Sequence, residues 1–369
     1  MPETIAPVAV DAMGGDNAPA AIVQGAVNAA RKGIPVLLVG PEDDVRAALA
    51  RQRVRPDLPV EVHHASEVVE MHDHPGQAMR RKRDNSIRVC FELVKSGRAS
   101  AMVSAGNSGA VMAGAIFVLG RAPGVERPAL TSALPAPGEP ILLDLGAVVD
   151  CKPIHLVQFA LMGELYARRA LGKPRPRVAI LANGEEESKG TDLTRLAAAA
   201  LRRSSIEFVG YAEGRDLLTG AFDVIATDGF TGNVALKTME GTARVVSDTL
   251  KQELRSSLWA RLGTLFAGGA LVRVKRKLDW REVGGAPLFG VAGVGFVCHG
   301  RSDALAIENA VRRAHAAAGT HFTDEIAAAV APAAALLAEA DGNVPPAEAP
   351  AGRSPADPPV PRAPARADA

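Results

Sequence analysis

Aromatic side chains are scarce: Phe, Tyr and Trp together make up 4% of the 369 residues. Proteins that hold single-stranded nucleic acid stack its bases on aromatic rings, so this function class is disfavoured. An excess of one charge is lacking too, since 42 Lys and Arg stand against 41 Asp and Glu. A nucleic-acid partner normally leaves a basic surplus, and none is expected here. Cysteine occurs three times, as Cys90, Cys151 and Cys298, an odd and widely spaced set that suits a reducing compartment better than a disulfide framework. Long apolar runs are missing as well. None approaches the roughly 20 residues that cross a bilayer, and Met1 to Pro7 carries no charged-then-apolar leader pattern. A cytoplasmic protein is expected.

What the chain does have is apolar bulk, 47% of its residues, cut into short pieces. Val8, Ala9 and Val10 read as a strand that stops at Asp11, and Gly14-Gly15 follow as a turn. Asp16, Asn17 and Pro19 supply helix-start chemistry ahead of Ile22, Val23, Ala26, Val27 and Ala30, which repeat at helical spacing. A strand running through a glycine turn into a helix places the turn at the carboxyl edge of a parallel sheet, where open α/β folds collect ligands. Paired glycines let the backbone approach a small ligand, and a helix amino end favours an anion. The same residues also make an ordinary tight turn, so this run does not decide the matter alone.

The pattern recurs. Residues 35–40 and 60–64 read as strands with a helix between them, an alternation that predicts a mostly parallel sheet covered on both faces. Residues 101–103 end in Ser104-Ala105-Gly106-Asn107-Ser108-Gly109, whose N–H groups, hydroxyls and amide suit a phosphate or an oxyanion. That turn does not match G-x-x-x-x-G-K-[ST], so an ordinary P-loop is not indicated. Three more strands, at 140–145, 177–181 and 223–227, run into Gly146, into the charged loop 183–192 and into Asp228-Gly229-Phe230-Thr231-Gly232-Asn233. Five strands thus end in glycine-bearing polar turns. Drawn from one parallel sheet, all five would face the same edge.

Three stretches stand apart from this pattern. Arg80-Arg81-Lys82-Arg83 is either a solvated face or a dock for an acidic partner. Residues 257–278 read as a projecting helical hairpin turning at Gly268-Gly269, with Trp259, Leu262 and Phe266 on one apolar face and Arg273, Lys275, Arg276 and Lys277 on the second arm. Such a hairpin suits a dimer interface or an anionic membrane surface, as well as plain core packing. Residues 341–369 are rich in Pro and Ala and are expected to be disordered. One α/β domain over residues 5–335 is therefore expected. His63, His64, His72 and His74 lack the cysteine or carboxylate spacing of a metal site.

Taken together, the motifs resemble bacterial phosphate acyltransferase, the acyl-acyl-carrier-protein:phosphate transacylase family of phospholipid synthesis. The matching stretches are Val10-Asp11-Ala12-Met13-Gly14-Gly15-Asp16, Ser104-Ala105-Gly106-Asn107, Asp150-Cys151-Lys152-Pro153, Gly184-Glu185-Glu186-Glu187, Lys189-Gly190, Thr227-Asp228-Gly229-Phe230-Thr231-Gly232-Asn233 and Gly284-Gly285-Ala286-Pro287-Leu288. They come in family order and cover nearly everything but the tail. Val148 departs from the family pattern, where asparagine is expected. The resemblance implies a three-layer α/β/α fold like that of isocitrate and isopropylmalate dehydrogenases, and a homodimer. It further implies transfer of a long-chain acyl group from acyl carrier protein to inorganic phosphate, with no metal or organic cofactor. The acyl phosphate would feed a membrane glycerol-3-phosphate acyltransferase, so peripheral membrane association is expected.

Attack of a phosphate oxygen on a thioester needs little acid assistance, because a thiol of pKa about 8.5 leaves readily. The site must instead hold an anion near the carbonyl and stabilise the tetrahedral oxyanion. Lys189 is the first candidate for orienting phosphate, with Asp228 and Asn233 completing the catalytic set. Asp11, Gly14, Gly15, Asp16, Ser104, Asn107, Ser108, Thr231, Gly232 and His299 are the expected substrate or phosphate contacts. Arg80, Arg81, Lys82, Arg83 and the 257–278 hairpin are the expected carrier-protein or membrane contacts. Cys151 supports a rival acyl-cysteine route, with His155 one turn along. A nicotinamide-dependent dehydrogenase lacks the G-x-G-x-x-G context, and a non-catalytic adaptor leaves the five turns without a purpose.

Overall fold

A computed structural model describes residues 5–257, 264, 267–273 and 279–340. The first half alternates as the periodicity predicts: β1 (Val8–Asp11), α1 (Ala20–Ala30), β2 (Val36–Gly40), α2 (Glu42–Ala50), β3 (Val60–His64), α3 (Pro75–Arg81), α4 (Ser86–Lys95), β4 (Ala101–Ser104) and α5 (Ser108–Gly114). Then come β5 (Ala129–Ala133), β6 (Ile141–Leu143), α6 (Pro153–Ala170), β7 (Val178–Leu181), α7 (Asp192–Leu201), β8 (Phe208–Ala212), β9 (Val224–Ala226) and α8 (Gly229–Ser256). Strands β10 (Ala286–Phe289) and β11 (Gly295–Val297) precede three helices, Ala304–Ala318, Phe322–Val330 and Ala333–Ala340. The fold runs on to Ala340, beyond the expected limit at 335, because Leu336 and Ala340 are buried.

The strands form one eleven-stranded sheet in the order β3-β2-β1-β4-β11-β10-β5-β6-β9-β7-β8. Side chains alternate across it, as the period of two requires. Val8 and Val10 of β1, Ile141 and Leu143 of β6, and Val178 and Ile180 of β7 pack beneath α1, α6, α7 and the C-terminal helices. Ala9 points the other way, to Met79, Phe91 and Val111 of α3, α4 and α5. Leu142, Ala179 and Ile225 face Leu236 and Met239 of α8. The result is three layers. Three of the scarce aromatics, Tyr166, Phe289 and Phe322, meet in the core at centroid separations of 4.8, 5.3 and 5.8 Å.

One expectation is corrected by the pairing. Strands β3, β2, β1, β4 and β11 are mutually parallel, but β11–β10, β10–β5 and β5–β6 are antiparallel, after which β6, β9, β7 and β8 are parallel again. Three reversals leave the two parallel blocks opposed in direction. The five polar turns therefore fall into two groups, after β1 and β4 in one block and after β6, β7 and β9 in the other. A single common edge does not exist. A twist of about 20–25° per strand still turns the second block by roughly 100° or more over the five steps from β1 to β6.

Helix α8 is much longer than its apolar pattern suggested. Of its 28 residues only Gly229 and Gly232 are buried, and Val245, Val246 and Leu250 are 65%, 57% and 43% exposed. Residues 267–273 are helical, so Gly268 and Gly269 do not make the expected turn. A glycine inside a helix costs only about 1 kcal/mol and does not by itself break one.

Candidate active site

The first corner is built on a buried acid. Asp11, at the end of β1, accepts hydrogen bonds from the Ser104 hydroxyl at 2.6 Å and the Met13 N–H at 3.2 Å. Burial pushes its pKa up, while bonds from Ser104, Ser86, Met13 and Gly14 pull the other way. The Ser104 Oγ also accepts from the Gly106 N–H at 3.0 Å, which ties the β1 and β4 turns together. Gly14 is required by this packing, since a Cβ there would run into the Asp11 carboxylate and lie 2.6 Å from the Gly106 nitrogen. Asn107 caps α5 through the Ala110 N–H and donates to the carbonyls of Met71 and Asp73. Ser104 and Asn107 thus commit their side chains to the corner itself. Gly15, Asp16, Ser108 and His299 line its outer part, where the Asp16 N–H donates to the Gly300 carbonyl and Asp16, Ser108 and His299 are exposed.

The second corner is the meeting of α8 with the turn after β6. Asp228 caps α8 through the Thr231 N–H at 2.9 Å, and its carbonyl accepts from Gly232. Asp144 is fully buried and accepts from the amides of Leu130, Ala147 and Val148. Burial raises its pKa against those bonds. The Asn233 amide donates to the Leu145 carbonyl at 3.0 Å, and the Gly229 N–H donates to the Val148 carbonyl at 2.8 Å. Position 148 holds both Asp144 and α8 through its backbone, contacts that do not depend on the side chain there. Thr231, Asn233 and Phe230 are exposed at this helix start.

Lys189 sits in the loop between β7 and α7, half-buried, with its side chain folded beside Gly184. Because β7 and β9 are parallel neighbours, this loop and the Asp228 turn leave the sheet in the same direction. Thr191 caps α7 reciprocally with Thr194.

The two corners are linked along α8. Asn233 and Lys237 are four residues apart and share one face of that helix. Lys237 and Glu240, paired at 3.1 Å, lie within electrostatic reach of His299 together with Arg301 and Asp16. Partial burial and the cations Arg301 and Lys237 push the His299 pKa down, and the two acids oppose them. Helix α8 therefore runs from the Asp228 turn to within electrostatic reach of His299, despite the opposed strand directions. Lys237, Glu240 and Asp144 were missed in the sequence. An acid ending an apolar strand before Gly146 was the available signal for Asp144, and the i+4 spacing from Asn233 was the signal for Lys237.

The basic run needs a correction. Lys82 turns inward, where its ammonium meets the Asp73 carboxylate at 2.6 Å and the Val68 carbonyl at 2.7 Å. Arg80, Arg81 and Arg83 are exposed, and Arg80 lies over the half-exposed Phe117 ring at 5.8 Å. Among the expected hairpin contacts, Arg273 is helical and exposed. Trp259, Leu262, Phe266, Lys275, Arg276, Lys277 and the tail 341–369 lie outside the described residues.

Cys151 is a poor nucleophile. Burial pushes its thiol up to about 12, and the nearby Asp144, Asp228 and Asp150 add to the rise. His155 is engaged elsewhere, with Nδ1 accepting from the Lys152 N–H and Nε2 facing the Glu126 carboxylate at 3.2 Å.

Comparison with known proteins gives a consistent result. A family profile described as "Fatty acid synthesis protein" matches residues 6–325. The phosphate acyltransferase of Anaeromyxobacter sp. (strain Fw109-5) is 75% identical over 339 residues, covering 92% of this chain and 94% of that protein. That of Anaeromyxobacter sp. (strain K) is 74% identical over 340 residues, with the same coverage of 92% and 94%. Among solved structures, a phosphotransacetylase from Streptococcus pyogenes superposes with a TM-score of 0.59 at 15% identity, over 85% of this chain and 94% of its own.

Proposed function

Since the chain belongs to the fatty acid synthesis protein family of phosphate acyltransferases, we propose that its acyl donor is a long-chain acyl carrier protein. The products are then acyl phosphate, destined for phospholipid synthesis, and free carrier. A phosphate oxygen attacks the thioester carbonyl, the carbonyl π pair moves onto oxygen, and collapse of that oxyanion expels the carrier thiolate. Lys189 orients phosphate and offsets its charge. Asn233, beside the Asp228-capped start of α8, faces the developing oxyanion with the second hydrogen of its amide, the first being held by Leu145. Asp228 acts by fixing that helix start. Asp11 and Asp16 belong to the opposite corner, where Asp11 orders backbone amides and Asp16 tunes His299.

The observation that supports this reading best is the run of α8 from Asn233 toward His299. It brings Lys237, one turn beyond Asn233, within electrostatic reach of His299 in the other turn group, a flank that an anion and an acyl thioester would share. Exposed Phe230, Val234 and Met71, at 63%, 50% and 48%, supply apolar surface near its two ends for a fatty chain. Exposed Arg80, Arg81 and Arg83 suit an acidic carrier. No helix among the described residues is long and apolar enough to cross a membrane. We assign contact with an anionic bilayer or with a membrane glycerol-3-phosphate acyltransferase to the region around residues 257–278, for its mixed apolar and basic sequence, and the exposed apolar residues of α8 suit a homodimer. The test is phosphate-dependent release of free carrier from palmitoyl carrier protein, repeated with Lys189→Ala. Release by the native enzyme, and a steep but measurable fall in the variant, is the expected result. Release that ignores phosphate would overturn the reading.

A further inference from the structure

Arg195 lies on the first turn of α7 with only 4% of its surface exposed. A buried guanidinium is costly unless its charge is paired, and apolar residues of similar volume often serve a fold equally well. Its contacts are therefore informative. One terminal nitrogen donates to the Gly190 carbonyl at 2.7 Å, and the other meets the Asp192 carboxylate. The first contact falls on the strand-to-helix loop and holds the residue directly after Lys189, and the second falls on the first residue of α7.

The other side of Gly190 is held as well. Its N–H donates to the Asn183 side-chain oxygen at 2.8 Å, so both polar backbone groups of this residue have dedicated partners seven residues upstream and five downstream. Gly190 has φ +86°, a left-handed conformation that sharply redirects the chain. Within the closed loop, the Lys189 N–H donates to the Glu186 carbonyl at 3.0 Å. The loop also carries three glutamates that would compete with an anion for Lys189. Glu187 pairs with Arg202 at 3.1 Å and Glu185 with Arg215 at 3.0 Å, while the Glu186 carboxylate stays beside the Lys189 side chain at Gly184.

We propose that Arg195 is a positioning residue for phosphate: by holding the Gly190 carbonyl, together with Asn183 on the Gly190 N–H, it fixes the direction in which Lys189 presents its ammonium group. The inference rests on the reading that Lys189 handles phosphate. Arg195 itself touches neither substrate. It acts through the loop, as a fixed post under a lever.

The test measures phosphate-dependent carrier release from palmitoyl carrier protein at varied phosphate and varied donor, for Arg195→Met, Arg195→Lys and Asn183→Ala, each with and without Lys189→Ala. Asn183 is exposed, so its variant keeps the question open should Arg195→Met fail to fold. Arg195→Met and Asn183→Ala are expected to lower kcat/KM for phosphate roughly tenfold to a hundredfold, as displacement of a positioned group does, with little change in donor KM. Arg195→Lys, which keeps one donor for the carbonyl, is expected to restore most of the loss. In the Lys189→Ala background none of the three changes should matter further, because the group they position is gone. Phosphate kinetics unchanged in a folded Arg195→Met or Asn183→Ala protein would overturn the inference while leaving Lys189 in its role. Equal losses with and without Lys189 would overturn it too. Full activity of Lys189→Ala alone would instead overturn the reading beneath it.

Discussion

Gly232 rests directly on the backbone oxygen of Asp144, so closely that a Cβ at position 232 would overlap it. The contact sets how the first turn of α8 sits on the β6 turn, and the Asn233–Leu145 bond one residue on depends on it. Alanine at position 232 must push the helix away from a carbonyl that cannot yield. Gly232→Ala is therefore expected to destabilise by about 1–3 kcal/mol, the range for forced overpacking, and to reduce turnover. Gly241 lies on the same helix with nothing within 4 Å of a built Cβ. Gly241→Ala is expected to stabilise by about 0.5–1 kcal/mol through helix propensity. Urea unfolding of both variants checks the sign of each.

Local chemistry was readable in the sequence, and long-range direction was not. Asn107 and Asp228 stand out in the sequence as polar corner residues, and both prove to cap helices, because a short polar side chain at a helix start acts within three residues of itself. Strand β5 was overlooked, since Ala129-Leu-Thr-Ser-Ala has neither a continuous apolar run nor aromatic residues. With it went the reversal of the sheet, because whether neighbouring strands run together or opposed is decided by partners far away in the chain. The end of α8 was misjudged for a related reason. Its last turns carry only Leu250 and Leu254 among polar residues, a stripe too narrow to extend the helix on pattern alone. The inward turn of Lys82 and the burial of Arg195 are tertiary facts that four basic letters, or one arginine in an alanine-rich helix, do not encode.

Asp223 gives the fold an acid limit. Burial opposes its ionisation, but hydrogen bonds from Arg177 and Lys173 outweigh that and hold its pKa at about 2, below the ordinary 3.8. A depressed carboxylate stabilises the fold fully above its unfolded pKa, and the contribution is lost as pH falls through the folded value. Here that window runs from about 4 down to about 2, with roughly 2 kcal/mol at stake. Asp223→Asn should lower stability at neutral pH and flatten the decline across that window. Chemical denaturation at a series of pH values reads both effects.

Cys151 should prove dispensable. Burial holds its thiol near 12, so almost none of it is thiolate at pH 7. Its Sγ is also turned to the Val148 carbonyl at 3.4 Å. Cys151→Ala is expected to keep carrier release within about twofold of native, the small change of an uncrowded packing position. Incubation with iodoacetamide should likewise leave the rate intact. A Cys151→Ala protein that melts normally but has lost turnover would restore the acyl-cysteine route.

The four basic residues at 80–83 should separate into two kinds under mutation. Lys82 is tied to Asp73 and Val68, and the Asp73 carbonyl in turn accepts from Asn107 in the first corner. Lys82→Ala is therefore expected to lower the melting temperature while leaving the affinity for carrier protein unchanged. Arg80 and Arg83 face solvent beside Phe117 and Arg88. Charge reversal at Arg80 or Arg83 should leave the melt unchanged and raise KM for acyl carrier protein, most at low salt, because exposed charges steer association within a screening length of about 10 Å at 0.1 M. If Lys82→Ala weakened carrier binding as much as Arg83→Glu, the inward ion pair would not survive in solution and the four residues would act as one docking face.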